Sequence, residues 1–168
     1  VVDPNEIVSR AVANGKRTAM LEKWDLDGNA SLLHRDLTEV WVSAWQQSQF
    51  IDNAGCQFNQ ILFLNNGAVD YCPNTKLIRQ YTKYVRTGAQ RIDATSQNPA
   101  FAPVAFVNTD GAYVVVIKAD GSGSFSVSGL PAGTYGLFYS TPSKFNVTLS
   151  NVTVAVGQPL STTMPEAG

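Results

Sequence analysis

The sequence predicts an α+β chain: a partial βα-barrel layer over residues 1–88, followed by an antiparallel β-sandwich domain over residues 89–168. Three observations carry this expectation. Up to about Gly88 helical patterns alternate with short apolar runs, which is the rhythm of a parallel sheet or barrel. After about Arg91 the apolar runs are short and separated by Gly, Pro, Asn or Asp, the spacing of an antiparallel sandwich. At 168 residues the chain can bury a sizeable core, yet a complete eight-fold βα barrel takes about 250 residues.

Each element has its own signal. "DPNEIVSRAVANGK" predicts a helix with Asp3 as N-cap, Pro4 at the first helical position, Glu6 completing a capping box and Gly15 as the stop. "TAMLEKW" predicts a short strand. "SLLHRDLTEVWVSAW" predicts a helix running into a second short strand around residues 42–46. An irregular Gly- and Asn-rich loop follows. "NTKLIRQYTKYVRTG" then predicts an amphipathic helix capped by Asn74 or Thr75 and ended by Gly88, with Tyr81 and Tyr84 among the side chains expected to bury against the sandwich.

The second half offers "QRIDATS", "PVAFVN", "YVVVIKA", "GSFSVSG", "TYGLFYS" and "KFNVTLSNVTVAV" as strands. "VNTDGAY" is a hairpin signal, with Asp110-Gly111 placed to supply positive φ, and "GLPAGTY" is a second tight connection. The closing "STTMPEAG" reads as a tail.

Composition excludes several function classes. With 12 Lys and Arg against 13 Asp and Glu, the net charge is −1. No basic stripe of the kind a nucleic-acid binder shows is present. The longest apolar runs, such as "YVVVI", have strand length, so none suits a bilayer span. A low charged fraction, 15%, beside abundant Gly, Ser, Thr and Asn suits a secreted, β-rich protein. The two cysteines, Cys56 and Cys72, form either one loop-closing disulfide or two buried thiols. No signal-peptide pattern opens the chain, and "VVDPNEIV" reads as the inside of a larger protein or a processed product. Three sequons begin at Asn29, Asn146 and Asn151 and permit glycosylation if the source is eukaryotic.

The chemistry centres on "RTAMLEKWDLDGNAS". A retaining glycosidase needs two carboxyl groups about 5 Å apart, a nucleophile and an acid/base, with aromatic surfaces to hold the sugar. In barrel enzymes such groups stand at the C-terminal ends of strands, which is the place of Glu22 in sequence. Trp24 and Trp45 are candidate stacking platforms. Gln46 or Gln47 would donate hydrogen bonds to sugar hydroxyls.

"GKRTAMLEKW", "WVSAWQQ" and "LIRQYTKYVRTGAQRIDATS", leading into "AFVNTDGAYVVVIKA", together resemble the C-terminal part of a clan-A retaining glycoside hydrolase of the family 30 type. "YTKYVRTGAQRI" is similar to the phrase by which that family enters its side β-sandwich. The resemblance implies Glu22 as nucleophile at the end of barrel strand seven, and Trp45 at strand eight as floor of the sugar site. It also implies that the acid/base glutamate, which follows an Asn at the end of strand four, belongs to strands with no counterpart here. The partner implied is a polysaccharide or oligosaccharide, with no nucleic acid, membrane, cofactor or metal. An open barrel edge would further favour a homo-oligomer or a partner fragment.

Rival readings attach to the same residues. Asp25, Asp27, Asn29 and Asp36 imitate a calcium loop, but Gly28 holds the fourth position and Ala30 the sixth, where glycine is required. A solvated acidic turn explains Asp25 and Asp27 more simply. His34, inside a helix, is expected to be exposed, and no Ser or Cys nucleophile lies near it in sequence. Two cysteines fall short of a zinc site. Aromatics from Tyr113 to Phe145 belong to a sandwich core in preference to a sugar-binding strip. The function expected is thus the C-terminal portion of a secreted retaining glycoside hydrolase acting on a β-glycan. The alternative is a non-catalytic carbohydrate-binding or structural accessory module.

Overall fold

The computed structural model describes residues 3–21, 29–47, 50–52, 55–56 and 60–168. Two compact units divide the chain, Val1–Ile78 and Arg79–Gly168. The division falls earlier than the composition shift at Gly88: Arg79 and Gln80, in the last turn of the third helix, belong to the second unit and bond Asn146 and Ser140 within it.

The first unit begins with α1 (Pro4–Ala13). The Asp3 carbonyl accepts from Glu6 N at 3.0 Å and Ile7 N at 3.2 Å, which places Asp3 at the N-cap and Pro4 at the first helical position, whose N–H would find no helical partner. Its end is a Schellman closure, in which Gly15 N donates to Val12 O at 3.0 Å and Lys16 N to Ala11 O at 2.8 Å. Glu6 and Arg10 pair across one turn at 2.8 Å. Both side chains are exposed, so the pair adds a few tenths of a kcal/mol, roughly 0.3–0.5.

Two strands of two residues each follow, β1 (Ala19–Met20) and β2 (Ala44–Trp45), with α2 (Asn29–Thr38) between them in sequence. They pair in parallel, Ala19 opposite Ala44 and Met20 opposite Trp45. Ser43 N donates to Thr18 O at 2.8 Å and Gln46 N to Met20 O at 2.9 Å, which extends the ladder one residue beyond each end. Parallel pairing requires a crossover connection, and α2 lies in it. Leu33 on α2 and Val42 before β2 are among the few buried apolar side chains of this unit.

The stretch expected as an irregular loop holds three strands, β3 (Ile51–Asp52), β4 (Leu62–Asn65) and β5 (Ala68–Tyr71). β3 runs parallel to β4, and β4 and β5 form a hairpin with Asn65 opposite Ala68. The two turn residues have φ of 49° at Asn66 and 82° at Gly67. Positive φ at both central positions is what a two-residue type I′ turn demands, and Asn-Gly supplies it at least cost. Cys56 and Cys72 are joined in a disulfide, 16 residues apart in sequence. Closing a loop of that length contributes about 3 kcal/mol on the chain-entropy account.

Cys72 also precedes α3 (Pro73–Thr82), whose first turn is tied down by Thr75 Oγ1 donating to Ile61 O at 2.6 Å. The helix ends earlier than Gly88. Beyond it, Asn108 clamps the chain in the second unit: its side chain donates to Tyr84 O at 2.9 Å and accepts from Arg86 N at 3.0 Å. These bonds satisfy backbone groups that further helix would have used internally. Tyr81 is buried, whereas Tyr84 is half-buried and stacks on Phe138 with ring centroids 5.0 Å apart.

The second unit is antiparallel throughout. β6 (Gln90–Ile92), β7 (Phe101–Val107) and β8 (Tyr113–Ala119) form a three-stranded sheet. β7 is central only over Ala105–Val107, because β6 is short, so Pro103 costs no bond on that side. The β7–β8 hairpin turns where "NTDG" predicted it, with φ of 85° at Gly111. Three pairs complete the unit: β9 (Gly123–Val127) with β14 (Leu160–Met164), β10 (Gly133–Tyr135) with β13 (Val152–Val154), and β11 (Phe138–Tyr139) with β12 (Val147–Thr148). In the "GLPAGTY" connection, Tyr135 Oη donates back to Pro131 O at 2.7 Å. The core gathers Phe101, Ala119 and Met164, with Ile117, Phe125 and Tyr139 packed against them. Full burial of a large side chain such as Phe101 or Met164 contributes on the order of 1.5–3 kcal/mol relative to exposure.

The closing "STTMPEAG" is no tail. Its first half is β14, where Leu160, Thr162 and Met164 face inward while Ser161 and Thr163 exchange hydroxyl bonds of 2.8 Å with Ser126 and Ser124. Its last residue pairs with β8 through reciprocal 2.8 Å bonds between Gly168 and Ala119. Between them, Glu166 accepts from Thr141 Oγ1 at 2.5 Å and from Ser143 Oγ. These hydroxyl bonds, that of Ser143 first, hold the carboxyl below its usual range, and the Lys144 charge adds to the effect.

Because the folded-state pKa lies below the unfolded one, the stability Glu166 supplies is fully present above the ordinary carboxylate range. It is lost as pH falls through the lowered value. Amide-exchange protection at Gly168 should therefore fall on acidification ahead of the β7–β8 core. In Glu166→Gln it should already be reduced at neutral pH and respond less to acid, and superimposable profiles would reject this role.

Candidate active site

Four residues were singled out from the sequence as site residues: Glu22, Trp24, Trp45 and Gln47. Glu22 and Trp24 lie outside the described residues, as do Asp25, Asp27 and Gly28 of the calcium-loop pattern. Trp45 and Gln47 are described, and both follow from one local arrangement.

Trp45 is the last residue of β2, opposite Met20, the last residue of β1. The two strands run the same way, so their C-terminal ends adjoin. In sequence, Glu22 comes two residues after the end of β1 and Gln47 two residues after the end of β2. Gln47 is buried, with 9% of its surface exposed. In barrel folds this end of the strands carries chemistry and the opposite end carries stability.

Trp45 is held by Asp36, the last residue of the calcium-loop pattern. Its indole Nε1 donates to Asp36 Oδ2 at 3.2 Å, and Arg35 Nη2 donates to Asp36 Oδ1 at 3.0 Å. Asp36 is fully buried. A carboxylate at 0% exposure is costly unless its oxygens are bonded, and here each accepts one bond. The ring of Trp45 is thereby oriented from its edge, and the residue as a whole is half-buried. No periodicity marks Asp36 as buried, since it sits among polar neighbours in "LLHRDLTE"; the nine-residue spacing to Trp45 is the only trace.

His34 corrects an expectation. It is buried, at 6% exposure, where an exposed helical histidine was expected. α2 turns the His34 and Asp36 positions inward together with Leu33, so its buried side is part polar. Trp41 is a third aromatic near these elements, half exposed with φ of 53°. It precedes β2, at the strand's N-terminal end, and its indole donates to Thr38 O at 2.9 Å. That end is opposite to the one where Trp45 stands. Among the described residues no group of three or more His, Cys, Asp or Glu could hold a metal ion. No helix among them is long and apolar enough to cross a membrane.

Comparison with known proteins shows what the chain is similar to. The glycosyl hydrolase family 30 β-sandwich domain matches residues 88–157. The chain is accordingly similar to the C-terminal part of a family 30 glycoside hydrolase. Among solved structures, the catalytic domain of a family 30 xylanase C from Talaromyces cellulolyticus superposes with a TM-score of 0.76 at 20% identity, covering 89% of this chain and 39% of that one. SrfJ from Salmonella typhimurium superposes at 0.63 with 14% identity over 98% of this chain and 36% of that one. An endo-β1,6-glucanase superposes at 0.60 with 17% identity over 76% and 34%. This chain thus spans well under half of each. No curated protein matches it.

Asp36→Ala should remove the acceptor from the Trp45 indole and cost about 1–3 kcal/mol, the penalty of a buried donor left unpaired. Asp36→Asn keeps an acceptor oxygen and should retain more of the near-ultraviolet tryptophan signal. Equal spectra for the two variants would show that Asp36 does not fix the ring.

Proposed function

We propose that this chain is the C-terminal portion of a secreted retaining glycoside hydrolase acting on a β-glycan, with Glu22 as nucleophile and Trp45 as the floor of the sugar site. The observation that carries the reading is the parallel β1–β2 pair, which ends in Trp45 and precedes a family 30 β-sandwich in the same chain. The first unit supports it as a partial barrel layer. It exposes the apolar side chains of Ile7, Val12, Ile51, Leu64, Val69 and Tyr71, which further strands and helices of a barrel would cover. The disulfide supports secretion, since such bonds persist in oxidising compartments.

In the double displacement, the Glu22 carboxylate attacks the anomeric carbon while a second carboxylic acid protonates the departing glycosidic oxygen. Water, deprotonated by that second group, then releases the sugar with its configuration retained. The second group would come from barrel strands upstream of this segment. Trp45 would stack on the sugar face, its orientation set by Asp36, and the Gln47 amide would bond hydroxyls. The similar structures include a xylanase and an endo-β1,6-glucanase, which makes xylan and β1,6-glucan the first polymers to try.

A non-catalytic accessory module is favoured by one specific observation: the family match lies wholly between residues 88 and 157 and omits the βα segment. Hydrolysis of a β-glycan panel separates the readings, measured on the chain joined to the upstream barrel strands that the hydrolase reading requires. The hydrolase reading predicts turnover that Glu22→Gln lowers on the order of 10⁴-fold or more, as loss of a nucleophile does. Turnover unaffected by the substitution would exclude Glu22. An inert protein that still binds β-glycan would establish the accessory module.

A further inference from the structure

Two of the three sequons lie in the second unit only five residues apart, and the fold treats them differently. Asn146-Val147-Thr148 begins at a residue with φ of 50°. Its backbone N–H donates to Ser140 Oγ at 3.0 Å, and Arg79 Nη1 donates to its side-chain oxygen. Ser140 is itself buried and bonded by Gln80 Nε2 at 2.6 Å. The Arg79 guanidinium also lies over the Phe145 ring, 5.7 Å from its centroid. The Asn146 carboxamide is therefore a working part of the junction between the end of α3 and the β11–β12 pair.

Asn151-Val152-Thr153 is placed otherwise. Asn151 is exposed and stands in the short connection between β12 and β13, outside both strands. Val152 and Thr153 open β13, where Val152 faces partly inward and Thr153 outward. A substituent on the Asn151 amide therefore projects into solvent without displacing any of the bonds that hold Asn146.

We infer that Asn151 is an N-glycosylation site and that Asn146 is not. The reading rests on the secreted part of the function proposed above, which the Cys56–Cys72 disulfide supports independently of any hydrolase activity. The donor is an oligosaccharide carried on a polyprenyl diphosphate in the secretory pathway of a eukaryotic cell. The Asn151 amide nitrogen displaces the lipid diphosphate from C1 of the first sugar and gives up one proton, so that a nitrogen–carbon bond replaces an oxygen–carbon bond. Among the described residues, the strand it precedes, β13, pairs only with β10. A hydrophilic chain at the entrance to β13 would shield its unpaired edge from other chains, the service that charges or prolines perform on other edge strands.

The test is to secrete the 168-residue chain from yeast and release its N-glycans enzymatically in heavy-oxygen water, which converts each glycosylated Asn to labelled Asp. After trypsin cleaves at Lys144, residues 145–168 form one peptide, and fragmentation assigns the label. It should fall on position 151 and be absent from 146. Asn151→Gln should abolish the glycan-dependent shift in gel mobility that arises from this peptide, while Asn146→Gln should leave it. Reading the cell-retained protein alongside the secreted protein keeps a folding failure from hiding the result. Label on position 146, with or without 151, overturns the discrimination, and an unlabelled peptide in both fractions overturns the site. Hydrolase activity enters none of these readouts, so the outcome stands apart from the fate of Glu22.

Discussion

Parallel pairing between two strands of two residues each supplies few hydrogen bonds of its own, yet the organisation of the βα segment depends on it. Antiparallel neighbours could be joined by a tight turn; parallel ones need a crossover. That crossover contains α2, and α2 delivers Asp36 to the Trp45 indole. Polarity follows from the same pairing, since two strands running together present their C-terminal ends on one side. The arrangement thus ties together a strand register, a buried carboxylate and the orientation of one aromatic ring. Its net contribution to stability is small, because burying Asp36 consumes much of what its two bonds return. What the carboxylate provides is a fixed direction for the ring.

The second unit is organised by a different constraint, the need to satisfy polar groups at the ends of many short elements. Asn108 holds the chain after α3, and Ser140 accepts from the α3 side chain Gln80 and from the Asn146 backbone. Thr141 links Lys144 N to Glu166, and Gly168 closes onto Ala119. Buried Asn, Ser and Thr side chains of this kind let two- and three-residue strands persist, because the backbone groups that lack ladder partners find them in side chains. The apolar cluster of Phe101, Ala119 and Met164 supplies the burial, while these bonds specify which strand lies where.

How much of this the sequence disclosed depended on how local the cause was. α1 was legible at both ends because its caps are written within three or four residues of the helix. The β7–β8 turn was legible because Asp110-Gly111 sits between two clear strands. The Asn66-Gly67 hairpin carried an equally local signal and was overlooked because its flanking strands are short and lie beside a cysteine loop. β14 was hidden for a chemical reason: its outward Ser and Thr pair with Ser124 and Ser126, so a polar run became a paired strand face. His34 and Asp36 are buried although both are polar, so the apolar periodicity of α2 does not mark them. Of the candidate site, the position of Trp45 at a strand end was legible. The carboxylate that holds it was not.

The account turns on Glu22, which follows β1 in sequence as Trp45 ends β2. A retaining mechanism passes through a covalent glycosyl-enzyme, and a fluorinated glycoside with a good leaving group lets that intermediate accumulate. Peptide mapping of the chain joined to the upstream barrel strands proposed above, after exposure to such a reagent matched to the β-glycan it turns over, reads the nucleophile directly. The account predicts one sugar attached to the peptide containing "LEKW", at Glu22. Attachment at another carboxylate, or complete turnover of the natural glycan with inversion of configuration and no adduct, would contradict it.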